Sequence, residues 1–355
     1  MNKKILMTGN EAVGEAAISA GCRFYAGYPI TPQNELTAYM AKRMLEEKGV
    51  FIQSESELAA INMVFGSSAV GKRAMTSSSS PGISLKQEGI SYLAGCELPA
   101  VIVNVMRGGP GLGNIAPSQA DYFQSTRGGG HGDYRTIALA PAYVQEAAGL
   151  TQLAFDLADK YRNPALVVMD GLLGQMMEPV EKTQFTDYKP KLVKKPWALT
   201  GAKGRRPNII RSLLLKQGAL EEFNERLCEK YKAIENTQTR YEKFLTDDAE
   251  IVIVAYGLTS RIARHAVKAL RKKNKKIGLI RPITIWPFPR KAMHDCAKKA
   301  TKAFLVVEMS CGQMVEDVRL AVNGKRPVYF YGRSGGGVPT NEAIEQEILK
   351  IIKGL

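Results

Sequence analysis

The sequence predicts an α/β protein of two domains built on mostly parallel sheets. Three observations carry that expectation. At 355 residues the chain is longer than one ordinary core organises. Short apolar runs alternate with longer helical patterns, the rhythm by which helices cover a parallel sheet. That rhythm is interrupted once, by a basic stretch containing prolines and glycines, and then starts again.

In the first set, between Gly9 and about Asp170, the strand-like runs are CRFYAGY, VFIQ, RAMTSS, PAVIVNVM, RTIALA and PALVVMD. The stretch from Tyr188 to Leu220 then holds nine Lys or Arg residues and no Asp or Glu. Leu220, Phe223, Leu227, Tyr231 and Ile234 follow at three- or four-residue spacing, which predicts one face of an exposed helix. From Glu250 the second set reads EIVIVAYG, KIGLIRP, AFLVVEMS and RPVYFYG. The expected division is therefore 1–180 for the first domain, 181–246 for a basic linker and helix, and 247–355 for a second, smaller α/β domain.

Composition narrows the function classes. Hydrophobic residues at 45% and 33 glycines suit a globular protein. The opening residues MNKKILMTGN place only Ile5, Leu6 and Met7 between polar neighbours, short of the apolar region of a secretory signal. No run approaches the length of a membrane span. Cys22, Cys96, Cys228, Cys296 and Cys311 are far apart, with no C-x-x-C pair to bind zinc or an iron–sulfur cluster, and read as reduced thiols in a cytoplasmic protein. The net charge of +15 raises nucleic acid as a partner. However, the basic stretch has only Trp197 well inside it, so a solvated linker or a docking strip for an acidic partner is favoured.

Several motifs fail on their own chemistry. GSSAVGK, Gly66 to Lys72, matches the first seven positions of a phosphate loop, but Arg73 stands where a Mg²⁺-binding hydroxyl belongs, and the preceding ELAAINMVF is helical rather than a strand. RGGPGLGN puts Asn114 where a dinucleotide fingerprint needs its third glycine. Its glycines instead suit a turn that lets a ligand or another backbone come close. His131, His265 and His294 are unpaired, which argues against hydrolase chemistry. His131 and Asp133 in GGGHGDYR are too few to hold a metal, and a loop-ordering hydrogen bond is expected of them.

Two stretches are more informative. In AGYPITPQNE two prolines flank Ile30 and Thr31 at the end of a predicted strand, where an α/β sheet presents its ligands. A Thr hydroxyl held there can donate one directed hydrogen bond, and Thr31 can equally cap a helix whose first residue is Pro32. In QSESELAA, Ser54 and Glu57 fit the S-x-x-E capping box. That reading makes Glu57 structural and leaves Glu55 over.

Taken in order, YPITPQNE, QSESELAAINMVFGSSAVGKRAMTSSSSPGISL, VNVMRGGPGLGN and HGDYR resemble the alpha subunit of the four-subunit 2-oxoacid:ferredoxin oxidoreductases. The resemblance continues through IRPITIWPFP and VVEMSCGQM, covering nearly everything except the basic linker. Gln33-Asn34-Glu35 after the prolines is most similar to the branched-chain, 2-oxoisovalerate type. The resemblance implies a thiamine-diphosphate pyrimidine-binding domain followed by a transketolase C-terminal-like domain. The implied enzyme, of anaerobic metabolism, decarboxylates a 2-oxoacid, passes electrons singly through iron–sulfur clusters to ferredoxin, and gives the acyl group to coenzyme A. The cofactor carries the carbanion chemistry while protein orients it. By the same resemblance Tyr28, Pro29, Ile30 and Thr31 meet the cofactor, and Glu55 shares a proton with the aminopyrimidine N1′. Thr31 also hydrogen-bonds the substrate's 2-oxo group, and Arg107 steadies its carboxylate through a planar donor fork. No role is assigned within Thr76 to Gly82.

The chain departs from a complete enzyme in lacking a G-D-G…N motif for Mg²⁺ and diphosphate, and any cluster ligands. A beta subunit is therefore expected to supply the diphosphate side, and gamma and ferredoxin-like delta subunits the remainder. A branched-chain substrate is expected ahead of 2-oxoglutarate or pyruvate. The competing expectation from another class is a noncatalytic phosphate- or nucleic-acid-binding module built on GSSAVGK and the basic stretch.

Overall fold

A computed structural model describes residues 3–354, so residues 1, 2 and 355 of the expected domain ranges lie outside the described residues. In chain order the strands are β1 (Lys4–Thr8), β2 (Phe24–Gly27), β3 (Val50–Gln53), β4 (Ala74–Ser78), β5 (Val101–Met106), β6 (Ile137–Leu139) and β7 (Ala165–Asp170). They continue with β8 (Met177–Glu181), β9 (Tyr241–Phe244), β10 (Ile251–Val254), β11 (Ile277–Pro282), β12 (Thr284–Trp286), β13 (Ala303–Glu308) and β14 (Val328–Gly332). A seven-stranded sheet runs in the order β12-β6-β7-β5-β4-β2-β3, a five-stranded sheet β14-β13-β10-β11-β9, and β1 pairs with β8. Every residue of β4, β5, β6 and β7 is buried, as is every residue of β10, β11 and β13. Strands buried on both faces favour apolar side chains throughout, which is why most of these read as continuous runs rich in Val, Ile, Leu and Ala, with β4, AMTSS, the exception.

Each run named from the sequence forms a strand, and most pair in parallel. The strands that reading missed pair antiparallel: β1 with β8, β9 with β11, and β12 with β6. β12 has three residues and shows no period of its own. It belongs by sequence to the second set, yet Thr284 opposes Leu139 and Trp286 opposes Ala138, so the C-terminal half lends an edge strand to the first sheet.

The phosphate-loop look-alike is a helix and a turn. The helix Glu57–Ala69 runs through its first residues, Gly71 turns at φ +84°, and Arg73 points into the protein. There its guanidinium meets Asp159 at 2.8 Å and Asp156 at 2.9 Å, and donates to the Ala20 carbonyl at 2.6 Å. Lys195 of the basic stretch reaches the same Asp159 at 2.6 Å, and Arg162 lies 4.8 Å over the ring of Trp197. The nine charges are thus not all uncompensated, because Lys195 helps pin the stretch to the first domain. The helix Ala219–Gln238 buries Leu227, Tyr231 and Ile234 as its spacing required, while Leu220 stays 51% exposed. All five cysteines are free, and no helix among the described residues is long and apolar enough to cross a membrane.

Gln119, fully buried, ties the two halves together. Its side chain donates to the Tyr256 carbonyl at 2.9 Å and accepts from the Thr259 hydroxyl at 2.8 Å and the Met309 amide at 3.0 Å. Replacing it by leucine strands three buried polar groups, each costing about 1–3 kcal/mol. Gln119→Leu should therefore lower unfolding free energy by about 3 kcal/mol or more in denaturant titrations, and an unchanged midpoint would contradict this lock.

Candidate active site

Because β2, β3, β4, β5 and β7 run parallel, the segments leaving their C-terminal ends emerge at one edge of the sheet. Tyr28 to Pro32 follow β2, Glu55 follows β3, Ser79 and Ser80 follow β4, and Arg107 follows β5. This is where open α/β sheets bind ligands.

The Tyr28–Thr31 loop is held from beneath. Gln33, fully buried, donates to the Tyr28 carbonyl at 3.2 Å and accepts from Thr37 at 3.1 Å and Ser77 at 2.5 Å. The Tyr25 hydroxyl bonds the same Ser77 at 2.6 Å, and Asn10 donates to the Pro32 carbonyl at 2.9 Å. The helix behind the loop starts at Asn34 with Gln33 at its N-cap position. Thr31 as a cap with Pro32 as first helical residue is therefore wrong. The Thr31–Pro32 bond is cis, Pro32 lies before the helix, and the Thr31 hydroxyl accepts from Asn34 at 3.3 Å.

Arg107 is buried at the end of β5, not on a surface. Its guanidinium donates to the Thr31 carbonyl at 2.9 Å and to the Leu112 carbonyl at 3.0 Å, while Nε has no partner among the described residues. Two of five donors are used, so the fork keeps donors in reserve for an anion. Its backbone is fixed by Ser80, whose hydroxyl accepts from the Arg107 amide at 3.0 Å and donates to Asp121 at 2.6 Å. Asn104 donates to the same carboxylate at 2.9 Å. Burial pushes the Asp121 carboxyl above its ordinary pKa, against those two hydrogen bonds. The following glycines act as expected of a tight turn, with Gly111 and Gly113 at φ +67° and +58°.

The two glutamates of QSESELAA part company, but not through a capping box. The helix begins at Glu57, Ser56 is its N-cap and accepts from the Ala59 amide at 3.2 Å, and the Ser54 hydroxyl turns to Met63 instead. Glu57 is thus the first helical residue rather than the third. The motif matched two residues early because Ser54 is still held in the sheet, its amide donating to the Gly27 carbonyl at 2.8 Å. Glu55 is exposed, one residue beyond that bond and beside the Tyr28 loop. Glu57 is buried against the first turn of the helix Ser80–Gly95. A side chain at Gly82 would collide with its Oε1.

Thr31 and Arg107 are therefore in direct contact, and the Tyr28–Thr31 loop and Glu55 share their edge without a hydrogen bond to one another. His131 and Asp133 are exposed, and the loop is ordered by other groups than expected: Gln87 accepts from the Gly129 amide at 2.8 Å and the Tyr134 hydroxyl from the Gly130 amide at 3.0 Å. No group of three potential metal ligands occurs among the described residues. Sequence reasoning missed Lys86, fully buried, whose ammonium donates to the Glu57 carbonyl at 3.4 Å. Ile83, Lys86 and Ile90 share one helical face, a spacing that signals its burial. It also missed that Thr76, Ser78 and Ser79 keep buried hydroxyls without a partner among the described residues.

Comparison with known proteins bears on this edge. Residues 15–243 match the family described as pyruvate flavodoxin/ferredoxin oxidoreductase, thiamine diP-binding, and residues 249–344 match pyruvate:ferredoxin oxidoreductase core domain II. Over 335 residues the chain is 52% identical to ketoisovalerate oxidoreductase subunit VorB of Methanothermobacter thermautotrophicus, covering 94% of each. Among solved structures it superposes with a TM-score of 0.89 and 28% identity on a 2-oxoglutarate:ferredoxin oxidoreductase from Magnetococcus marinus with 2-oxoglutarate, coenzyme A and succinyl-CoA bound. That match covers 98% of this chain and 65% of the longer one. A split gene transketolase, an inactive beta4 tetramer, shares the fold at a TM-score of 0.62 and 15% identity over 98% of both chains.

Burial lowers the pKa of Lys86 to about 7, with Glu57 pulling the other way. The unfolded lysine titrates near ~10.4, so between about pH 7 and 10 the unfolded chain binds more protons at this site than the folded one. Stability from this group must then rise with pH across that window. The stability difference between wild type and Lys86→Met, followed by denaturation at a series of pH values, should move in favour of wild type from pH 7 upward. A pH-independent difference would refute it.

Proposed function

The chain belongs to the thiamine-dependent 2-oxoacid:ferredoxin oxidoreductases, as an alpha-type subunit of the branched-chain kind, and from that premise we propose that it supplies the pyrimidine side of a shared active site. The assembled enzyme converts 2-oxoisovalerate and coenzyme A to the acyl-CoA and carbon dioxide, and two electrons leave singly for iron–sulfur clusters on partner subunits and then ferredoxin. The division into 1–180, 181–246 and 247–355 belongs to the same proposal, as does a cytoplasmic location.

The observation that carries this reading is the Arg107–Thr31 contact beside an exposed Glu55 at one strand edge. The unpartnered hydroxyls of Ser78 and Ser79 and the spare Arg107 donors are what a polar cofactor and an anionic substrate would need there. When bound, thiamine diphosphate supplies the carbanion chemistry that loosens the carboxylate from the keto carbon. The residues Tyr28, Pro29, Ile30 and Thr31 would hold the pyrimidine side, and Glu55 would hold the proton at N1′. Thr31 directs its hydroxyl proton to the 2-oxo oxygen, and Arg107 pairs with the carboxylate. A branched-chain substrate is supported by the loop after Arg107, where Leu112 and Ile115 are bare and no further Lys or Arg occurs before Asp121. A second carboxylate, as in 2-oxoglutarate, would find no cation on that loop itself.

Mg²⁺ and the diphosphate fall to the beta subunit, with gamma and ferredoxin-like delta subunits completing the assembly. In the reconstituted complex, viologen reduction should be faster with 2-oxoisovalerate than with 2-oxoglutarate or pyruvate, and the lone chain should show none. Glu55→Gln should leave assembly intact and lose at least ~10²-fold in rate, the lower range for general acid–base catalysis. Survival of Glu55→Gln together with loss in Glu57→Gln would move the proton role to Glu57.

The basic stretch is proposed to dock an acidic partner surface. Leu192, Ile209, Leu213 and Leu215 are bare along it, and Lys194, Arg205 and Arg206 are free of ion pairs among the described residues. Reversing those three charges to Glu, leaving Lys195 on Asp159, should weaken subunit association in sedimentation, and so should added salt. Unchanged association at low salt would make the stretch a solvated linker.

A further inference from the structure

Away from the strand-end edge, the chain holds a concavity of about 400 Å³ with chemistry of its own. It opens beside β12, where the end of the Ala219–Gln238 helix meets the start of the helix Arg290–Ala297. Its walls combine the rings of Trp286, Phe288 and Tyr241 with the cations Arg135, Arg290 and Lys291. Trp286 is fixed edge-on by Tyr231, the ring centroids 5.9 Å apart at 87°.

The charges in this concavity do not cancel. Asp317, which also lines it, is already satisfied by the Tyr122 hydroxyl at 2.6 Å and by Arg127 at 3.2 Å. Glu235 is the other acid in the lining. Arg135 and Arg290 have no ion pair among the described residues, and Lys291 pairs only with Asp295 along its own helix, at 2.8 Å. Unpaired cations around one concavity repel each other, and an anion seated among them removes that cost. Aromatic walls beside them favour a flat, stackable group. The volume lies in the range of small-molecule sites.

The concavity also lies at the opposite edge of the sheet from Thr31, Glu55 and Arg107. β6 is parallel to β7 and β7 to β5, so Arg135, just before β6, lies at the N-terminal edge, whereas Glu55 and Arg107 leave the C-terminal edge. We propose that this concavity binds a nucleoside phosphate, its base against Trp286 and Phe288 and its phosphates paired with Arg135 and Arg290. Such a group can come as a free nucleotide or as the nucleotide end of coenzyme A.

The chain has two tryptophans, so Trp197→Phe leaves Trp286 as the sole reporter. Titration of that full-length protein with ADP should give a saturable change in its emission, and equilibrium dialysis of labelled ADP against the unmodified chain gives the same answer without a mutation. Arg135→Ala with Arg290→Ala should weaken ADP by at least about tenfold, a modest estimate for two charge-assisted bonds. Tighter binding of coenzyme A than ADP would assign the site to the coenzyme, and equal or weaker binding to free nucleotide. The proposal is overturned if ADP and coenzyme A both fail to bind at millimolar concentration, if the double variant binds ADP as wild type does, or if inorganic phosphate binds as tightly as ADP. A Trp286 response to partner subunits with none to nucleotide would overturn it too, and would make the concavity a protein interface.

Discussion

The larger sheet is covered on both faces, and that constraint governs where this protein can carry chemistry. Strands such as β5 and β7, buried at every residue, are filled mostly by apolar side chains, because a polar one there needs a buried partner, as Asn104 has in Asp121. Polar residues are tolerated most readily where strands end and helix N-termini offer free amides. Parallel pairing then collects those ends at one edge. Thr31, Glu55, Ser80 and Arg107 are all within a few residues of a strand terminus, and they come from four different strands.

Being at the same edge does not by itself orient side chains. The orientation comes from buried hydrogen bonds below: Gln33, Tyr25, Ser77 and Thr37 under the Tyr28 loop, and Ser80, Asn104 and Asp121 under Arg107. The Arg107 guanidinium then joins the two loops through the Thr31 carbonyl. Groups locked in this way lose little further entropy when a ligand arrives, so more of the interaction is available for binding and orientation. The edge nonetheless stays open, with Glu55, Leu112 and Ile115 exposed. An open edge of that kind is consistent with a site that a second subunit closes.

The C-terminal half is more than an appended domain. It lends β12 to the first sheet, and Gln119 of the first half fills hydrogen bonds on Tyr256, Thr259 and Met309. The Arg73–Asp159–Lys195 cluster does similar work for the basic stretch. Buried charges of that kind are costly to break and confer geometry more reliably than net stability.

Much of this protein was legible in its sequence, because hydrophobic period and turn chemistry are local. The long strands, the exposed helix after the basic stretch, and the segments YPITP, QSE and MRGG at strand ends all follow from residues within a few positions of one another. Even local motifs erred when the backbone around them was held from a distance: the box at Ser54 slipped because that residue is bonded to Gly27 of another strand, and Thr31 was not a cap because Pro32 is anchored by Asn10. The contacts that make an edge into a candidate site were not legible. Arg107 meets Thr31 across 76 residues, Arg73 meets Asp159 across 86, and Gln119 meets Tyr256 across 137. Those pairings depend on strand order and sheet register, and a hydrogen bond that requires about 3 Å between atoms so far apart in the chain is decided only when the tertiary structure closes.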